Sequence, residues 1–149
     1  MRAVLQRTAY AKVTVDGEIT GSIGRGIAAL VGFKSGDDDK VMDYMLDKIV
    51  NLRIFEDGNG KMNLSLTDVG GELIIVPNFT LYGDARKGRR PGYSSGAAPA
   101  EAGPMFEKFI NKAKGLPLKV ESGIFQADMR FELLNDGPIT ILLDSDRLF

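Results

Sequence analysis

Two short segments, VPNFTL and NDGPIT, each place a proline at the end of a hydrophobic strand, where chemistry could use the main chain itself. Proline has no N–H, so strand pairing is interrupted at Pro77 and Pro138, and main-chain groups nearby are left to face a ligand. Thr80 adds a hydroxyl and Phe79 an aromatic ring to the first segment. Taken singly, a hydroxyl bonded to neighbouring backbone and a core aromatic explain these two residues equally well, and composition alone favours those structural roles.

The most informative feature of the composition is the absence of histidine and cysteine. It excludes Ser-His-Asp and Cys-His catalysis, thiolate chemistry and the common zinc sites. The acidic run GDDDK is typical of a solvated helix N-terminus, and no carboxylate cluster has the spacing of a metal site. We therefore expect no metal and no cofactor, and any hydrolase built from this chain must find its proton acceptor elsewhere.

A basic run, RKGRRP, lies in a long polar loop and contains Arg86, Lys87, Arg89 and Arg90. Such a run is usually a solvated loop. The formal net charge of the chain is −1, so the protein has no global attraction to nucleic acid, and any binding of phosphates depends on a local patch such as this one. Loops of this length in a compact domain tend to be functional.

Length and composition predict a single soluble domain over residues 1–149, since 44% hydrophobic and 26% charged residues are typical of globular proteins. The longest apolar runs are too short to span a bilayer, and the N-terminus lacks the apolar stretch of a signal peptide. We therefore expect a cytoplasmic protein that does not associate with membranes.

The first half of the sequence reads mostly as strands. Alternating apolar and polar positions turn at Asp16-Gly17, which predicts a hairpin, and the apolar run GIAALVGF predicts a buried strand. A helical pattern of apolar residues predicts a helix from Asp37 to about Leu52. A second hairpin is predicted around Asp57-Gly58-Asn59-Gly60.

The second half begins with a central strand, ELIIVP, followed by the polar loop. An amphipathic helix carrying Phe106, Phe109 and Ile110 is predicted to end at Gly115. The turn residues of NDGP predict a hairpin that joins residues 131–134 to residues 139–143. Many antiparallel strands and two main helices predict an α+β fold with a curled, barrel-like, mostly antiparallel sheet.

Several motifs in order along nearly the whole chain carry a family resemblance. From MRAVLQR through VTVDGE, RIFEDGNGKMNLSL, FTLYGD, RKGRRP and ADM to NDGPIT, the sequence closely resembles the D-aminoacyl-tRNA deacylases, the D-tyrosyl-tRNA deacylase family. The resemblance implies a barrel-like α+β fold, a tight homodimer and an active site at the subunit interface. It also implies hydrolysis of the ester that joins a D-amino acid, or glycine, to the terminal ribose of tRNA.

The family motif SQFTL, which supplies main-chain N–H groups and a threonine to the reacting carbonyl, corresponds here to residues 77–81, PNFTL. The resemblance thus implies catalytic roles for Phe79 and Thr80 and substrate binding by Asn78. The sequence departs from the motif at two positions, because Pro77 replaces serine and Asn78 replaces glutamine. Pro77 removes one N–H, whereas the N–H groups of Phe79 and Thr80 remain.

NDGP matches the family's Gly–Pro motif, in which a cis Gly–Pro from one subunit enters the pocket of the other. The resemblance therefore assigns substrate binding to Gly137 and Pro138, and to Arg7 the orientation of this motif. Ala102 and Met129 match positions near the pocket, where a packing role is as compatible with the pattern as a binding role.

The sequence therefore predicts a proofreading esterase that acts on D-aminoacyl-tRNA, and on glycyl-tRNA mischarged on tRNA-Ala, with phosphates bound by the RKGRRP loop. Two alternatives stay open. One is a deacylase with altered specificity for small L-aminoacyl-tRNAs, suggested by the changes at Pro77 and Asn78, and the other is a non-catalytic tRNA-binding module.

Overall fold

The computed structural model describes all 149 residues, which form eight strands, two α-helices and one short 3₁₀ helix. The strands are β1 (Arg2–Val15), β2 (Glu18–Ile23), β3 (Gly26–Gly32), β4 (Phe55–Glu56), β5 (Met62–Leu64), β6 (Glu72–Pro77), β7 (Val120–Ser122) and β8 (Arg130–Asp144). The helices are α1 (Asp39–Asn51) and α2 (Pro99–Lys114), and the 3₁₀ helix is Phe79–Tyr82.

The main sheet is organised around β1, which has antiparallel partners along both edges. The first half of β1 pairs with β3 and its second half with β2, while β8 runs along the other edge. Beyond β3 the sheet continues as the parallel strands β6 and β7. β2 curls back so closely that a Cβ on Gly21 would lie 3.0 Å from the carbonyl oxygen of Ser122. The nearly closed, mostly antiparallel sheet with two helices confirms the predicted fold class.

The predicted hairpins of the first half are confirmed. Asp16 and Gly17, with φ angles of 51° and 84°, form the turn between β1 and β2. The small sheet of β4 and β5 closes around the predicted Asp57–Gly60 turn. Both turns contain residues that accept positive φ, which is why local sequence was enough to place them.

Both helices cover one face of the main sheet. α1 begins after Asp38, whose carboxylate accepts a hydrogen bond from the N–H of Val41, and so starts two residues later than predicted. α2 begins at Pro99, and its C-terminal end before Gly115 was predicted. Proline is well tolerated in the first turn of a helix, so α2 can begin at Pro99, inside the segment that the sequence pattern assigned to the polar loop. The loop is shorter as a result.

Alternation along the buried strands divides the core between the two faces of the sheet. Ile27 and Ala29 of β3 belong to a cluster of 21 buried residues that includes the apolar faces of α1 and α2. Ala28, between them, belongs to a smaller cluster of six on the other face, inside the curl of the sheet. Burial on both faces explains why β3 is apolar throughout.

The predicted hairpin at NDGP is wrong, because residues 130–144 form the single strand β8. β8 pairs with β1 on both sides of the motif, with Asn135 opposite Thr8 and Thr140 opposite Gln6. Four residues of β8 therefore lie opposite Arg7 alone, and they bulge out of the ladder. The turn residues bend one strand instead of joining two.

No helix in the structure is long and apolar enough to cross a membrane.

Candidate active site

A cavity of about 750 Å³ opens where the parallel strands β3 and β6 end. Its walls come from these strand ends, the start of α2, the segment before α2 and the segment before β8. Most of the lining is apolar. Of the residues that the sequence singled out, Asn78, Phe79, Ala102 and Met129 all line this cavity, which brings them together from three distant parts of the chain.

The wall formed by residues 77–79 follows from the way in which β6 ends. Pro77 is the last residue of β6, and Asn78 is extended (φ −146°, ψ 94°) and caps the 3₁₀ helix that follows. The Asn78 N–H donates to the carbonyl of Val31 at 2.7 Å, which ties this turn to the end of β3. A Cβ on Gly32 would lie 2.9 Å from the Asn78 carbonyl oxygen, so the close approach requires glycine.

The side chains of Asn78 and Thr80 are hydrogen-bonded to each other. Asn78 Oδ1 accepts from the Thr80 N–H at 3.1 Å and also from the Thr80 hydroxyl. The Asn78 side chain therefore occupies the Thr80 N–H, one of the two main-chain donors that remain in the motif. Thr80 is exposed and does not line the cavity.

Phe79 provides an unpaired main-chain donor at the cavity wall. As the first residue of the 3₁₀ helix, Phe79 has no acceptor for its N–H within that helix, it lies outside the β6 ladder, and its N–H makes none of the turn, loop and cap hydrogen bonds. Its side chain is 64% exposed and contacts the ring of Tyr93 edge to face, with ring centroids 5.2 Å apart. The alternative of a core aromatic at Phe79 is therefore wrong. Tyr93 itself lines the cavity, and no sequence pattern marked it beyond its place in the polar loop.

Met129 and Ala102 line other parts of the cavity wall. The Sδ atom of Met129 accepts a weak hydrogen bond from the Ile124 N–H at 3.4 Å. Ala102, from the first turns of α2, is buried. Both residues have packing contacts as well as a surface on the cavity.

Gly137 and Pro138 lie on the bulge of β8, and they do not line the cavity of their own chain. The bond between them is cis, as the resemblance implies. Both residues are exposed. Gly137 has a φ of 127°, and a Cβ there would lie 2.7 Å from Cγ1 of Ile139, so no other residue fits without a shift.

Arg7 and Asn135 hold the bulge in place from beneath. The buried guanidinium of Arg7 donates to the carbonyl of Asp136 at 3.2 Å and to the carbonyl of Ile54 at 2.9 Å, and it pairs with the Asp136 carboxylate at 3.1 Å. Asn135 Nδ2 spans the bulge by donating to the carbonyls of Arg7 and Ile139, both at 2.9 Å. Sequence reasoning missed Asn135, although it stands at the start of NDGP.

The basic loop leaves the 3₁₀ helix and returns at Tyr93, beside the cavity. The main chains of Asp84 and Gly92 close the loop with hydrogen bonds of 2.7 and 2.9 Å. Arg86 grips the Asp84 carboxylate with two hydrogen bonds of 2.8 and 2.7 Å, which holds the pKa of Asp84 well below its ordinary value. Lys87, Arg89 and Arg90 are exposed, and none of them forms an ion pair.

The 3₁₀ helix is braced from the start of β1. Arg2 donates to the carbonyl of Leu81 at 3.1 Å and pairs with Asp144, at the end of β8, at 2.8 Å. Its guanidinium lies 4.7 Å from the ring centroid of Tyr82. Tyr82 is buried, and burial raises the pKa of its phenol well above the ordinary value. Arg2 thus connects the 3₁₀ helix to the end of β8.

Comparison with known proteins identifies the family. The family model described as D-Tyr-tRNA(Tyr) deacylase matches residues 4–144. The chain belongs to this deacylase family. Similar curated proteins include two that are named D-aminoacyl-tRNA deacylase. The one from Clostridioides difficile is 56% identical to this chain and the one from Desulfitobacterium hafniense is 51% identical, each over the full length of both chains.

Solved structures agree with the deacylase fold. A structure named c-Myc DNA Unwinding Element Binding Protein is 37% identical, with a TM-score of 0.91 over 97% of this chain and 98% of that one. A probable eukaryotic D-amino acid tRNA deacylase is 20% identical, with a TM-score of 0.79 over 95% of this chain and 97% of that one, and it supports the fold alone.

In this member of the deacylase family, the site contains no group that ordinarily serves as a general base near neutral pH. It offers a free main-chain N–H at Phe79, a side-chain amide at Asn78 and an apolar cavity beside them. Such a site can bind a largely apolar organic group and stabilise negative charge on an oxygen atom at its wall.

Proposed function

We propose that the protein hydrolyses the ester bond of D-aminoacyl-tRNA and releases tRNA and a free D-amino acid in the cytoplasm. The family and the names of relatives at about half identity support this reaction class. The observation in the structure that carries the proposal is the unpaired N–H of Phe79 on the wall of a largely apolar cavity. It lies at the position that the family motif assigns to the reacting carbonyl.

An aminoacyl ester is already activated, so the enzyme has little chemistry to supply. Water adds to the carbonyl carbon, negative charge develops on the carbonyl oxygen, and the bond to the ribose oxygen breaks. One proton of the water is transferred to the departing ribose oxygen, with assistance from the neighbouring 2′-hydroxyl of the substrate. The protein orients the ester and stabilises the oxyanion through the Phe79 N–H, which requires no histidine.

The complete site is formed by two subunits. Gly137 and Pro138 are exposed on β8 and lie outside the cavity of their own chain. β8 pairs with β1 along one edge only, and its outer face exposes Leu134 and Leu142, each 54% accessible. An unpaired edge strand with exposed leucines is suited to pairing with a second copy of the chain. In such a homodimer, the Gly–Pro bulge of one subunit enters the cavity of the other.

This arrangement accounts for selection by chirality. Rigid carbonyl groups of Gly137 and Pro138, held by Arg7 and Asn135, contact the amine and the α-carbon of the substrate and leave no space for a side chain in the L direction. A D side chain points elsewhere. Glycine has no side chain to exclude, so glycyl-tRNA, including glycine mischarged on tRNA-Ala, is also a substrate.

The basic loop binds the tRNA backbone. The loop begins at Gly83, directly after the 3₁₀ helix, and returns beside the cavity at Tyr93. Phosphates near the aminoacylated end of the tRNA therefore lie within its reach. Lys87, Arg89 and Arg90 have no acidic partner and supply most of this attraction, whereas the charge of Arg86 is shared with Asp84.

The decisive experiment compares the hydrolysis of D-alanyl-tRNA, glycyl-tRNA and L-alanyl-tRNA by the purified protein. We expect the first two to be hydrolysed and the third to be spared. Equal hydrolysis of the L and D esters would contradict the proposal and support a deacylase with altered specificity.

The exposed basic loop also favours a second candidate, a tRNA-binding module without catalysis. That function predicts binding of tRNA with no hydrolysis of any of the three esters. It also predicts that neutralising the loop abolishes tRNA binding and leaves the protein with no function. An esterase with an impaired loop, in contrast, still hydrolyses its substrate at saturating concentration.

A further inference from the structure

The hydrogen bonds between Asn78 and Thr80 have a defined direction. A main-chain N–H can only donate, so the Asn78 atom that lies 3.1 Å from the Thr80 nitrogen must be the amide oxygen, Oδ1. The Thr80 hydroxyl contacts the same oxygen, which has no proton to give, and so it donates as well. Both donors of Thr80 therefore point at Asn78.

This direction determines which group faces a ligand. Asn78 Oδ1 is held by two donors, while the Nδ2 amide with its two protons makes no hydrogen bond within the chain. No buried side-chain nitrogen or oxygen in the structure lacks a partner, so Nδ2 is on the accessible side of this half-buried residue. Asn78 lines the cavity and Thr80 does not.

We propose that Thr80 is a positioning residue that acts through Asn78, and that the Asn78 side-chain amide is a second hydrogen-bond donor to the ester carbonyl, beside the N–H of Phe79. The inference rests on the proposed function and specifies which groups perform it. The two donors come from adjacent residues, and the turn that carries them is anchored to β3 by the hydrogen bond from Asn78 to Val31.

The same geometry argues against Thr80 as a nucleophile. A nucleophilic hydroxyl needs a base to take its proton, and the atom that accepts the Thr80 proton is a neutral amide oxygen, which is not a base. The hydroxyl instead adds a second constraint to the orientation of the Asn78 amide. The N–H alone would leave the amide freer to rotate about its last bond.

The test separates the cap from the donor. Serine caps helices well, so Asn78→Ser keeps an acceptor for the Thr80 N–H but removes the amide. We expect kcat for D-aminoacyl-tRNA hydrolysis to fall by about 10²–10³-fold, with a smaller change in KM, as is typical when one oxyanion donor is lost. Asn78→Gln keeps the amide on a longer chain and should restore part of the loss. Thermal unfolding of each variant provides the folding control.

Variants of Thr80 then test whether it acts through Asn78. The isosteric Thr80→Val should lower kcat in the otherwise unchanged protein, and the conservative Thr80→Ser, which retains both donors, should lower it less. In an Asn78→Ser background, Thr80→Val should have little further effect, because the amide that it positions is absent.

Two results would overturn the inference while leaving the esterase function in place. One is wild-type kcat in Asn78→Ser, and the other is the same fold-loss from Thr80→Val in both backgrounds, which would mean that Thr80 contacts the substrate itself. Inactivity of the unmodified protein on every aminoacyl-tRNA would instead refute the proposed function and this inference together.

Discussion

In the proposed mechanism, single main-chain groups carry much of the chemistry, and this limits how substitution can probe them. The Phe79 N–H survives almost every side-chain replacement. Only proline removes it, and Phe79 occupies the first position of a 3₁₀ helix, where proline is tolerated. Asn78 before it is extended, as a residue that precedes proline should be.

Phe79→Pro is therefore expected to fold normally and to lose about 10²–10³-fold in kcat, because the oxyanion loses a donor. The measurement is single-turnover deacylation of D-aminoacyl-tRNA. Phe79→Ala, which removes the exposed ring but keeps the N–H, is the matched control. If the two variants lose activity to the same extent, the ring rather than the N–H is responsible.

A second residue-scale prediction concerns stability in acid. The Asp68 carboxylate accepts hydrogen bonds from the Ser65 N–H at 2.9 Å and from the Ser65 hydroxyl at 2.8 Å, and the N–H bond is the larger cause of its lowered pKa. A carboxyl group whose pKa is lowered on folding stabilises the protein above its unfolded pKa of about 3.9, and this stabilisation is lost as the pH falls further.

We therefore expect the difference in unfolding free energy between the wild type and Asp68→Asn to be constant from neutral pH to about pH 5 and to shrink below about pH 4. Urea unfolding as a function of pH measures it. Asp128→Asn, an exposed carboxylate outside these contacts, is the control. A difference that stays constant down to about pH 2.5 would contradict the assignment.

At the scale of elements, the proposed selection by chirality depends on the bulge of β8. Arg7 holds it with contacts to Asp136 and Ile54 from a buried position. Arg7→Met keeps the apolar stem but leaves these acceptors unpaired, and we expect it to lower the free energy of unfolding by roughly 2–3 kcal/mol. Discrimination between D- and L-alanyl-tRNA should weaken as well.

Denaturant unfolding and the ratio of kcat/KM for the two esters check this prediction. Lys12→Met is a suitable control, because Lys12 also connects β1 to β8, through an exposed ion pair with Glu132 at 3.2 Å. Exposed pairs of this kind contribute only about 0–1 kcal/mol. A similar loss in both variants would show that Arg7 has no special role.

The basic loop is an element whose residues should differ in importance. Replacing Lys87, Arg89 and Arg90 with glutamine should weaken tRNA binding regardless of sequence. It should also reduce the slope of log affinity against log salt by about 0.7–0.9 for each phosphate that the loop no longer neutralises. Arg86→Gln, which removes a charge already paired with Asp84, should change the slope less. An unchanged slope in the triple variant would refute phosphate binding by this loop.

Particular elements show how far sequence reasoning reaches. The turns at Asp16-Gly17 and Asp57–Gly60 and the helix C-terminus at Gly115 depend on local backbone preferences, and all were predicted. The NDGP segment has equally strong turn chemistry, yet β8 stays one strand, because β1 pairs with it on both sides of the motif. Pairing between two strands at opposite ends of the chain is not visible in a local pattern.

The candidate site was predicted to a similar degree. The family motifs named Asn78, Phe79, Ala102 and Met129, and one cavity contains all four. The use of the Thr80 N–H by the Asn78 side chain was not predicted, because it depends on a rotamer within one turn. Tyr93 and Asn135 were missed because a tyrosine in a polar loop and an asparagine in a turn are both commonplace.

At the scale of the whole molecule, the proposed sharing of each site between two subunits predicts that two inactive variants restore activity when they form a dimer together. Phe79→Pro damages the cavity and Gly137→Ala damages the bulge, so each homodimer should be inactive. In a mixed dimer, the intact cavity of one chain receives the intact bulge of the other. When equal amounts mix at random, half of the dimers contain one chain of each variant, and one of the two sites in each such dimer is intact. Mixing should therefore restore about one quarter of wild-type activity.

The experiment requires the two variants to be unfolded and refolded together, with activity measured before and after. Wild-type protein taken through the same procedure is the control for recovery. Activity that stays at the level of the separate variants would show that both segments act within one chain.

The sheet separates two tasks by strand direction. The parallel strands β3 and β6 end together at the cavity, whereas the antiparallel pair of β1 and β8 carries the bulge and the unpaired edge. Substitutions in the segments that follow β3 and β6 therefore change the cavity and leave β8 unchanged, but in the proposed dimer the bulge of β8 must still fit the altered cavity of the partner. An engineer could therefore pair a widened cavity in one chain with a complementary bulge in another, so that a change of substrate also selects which two chains assemble.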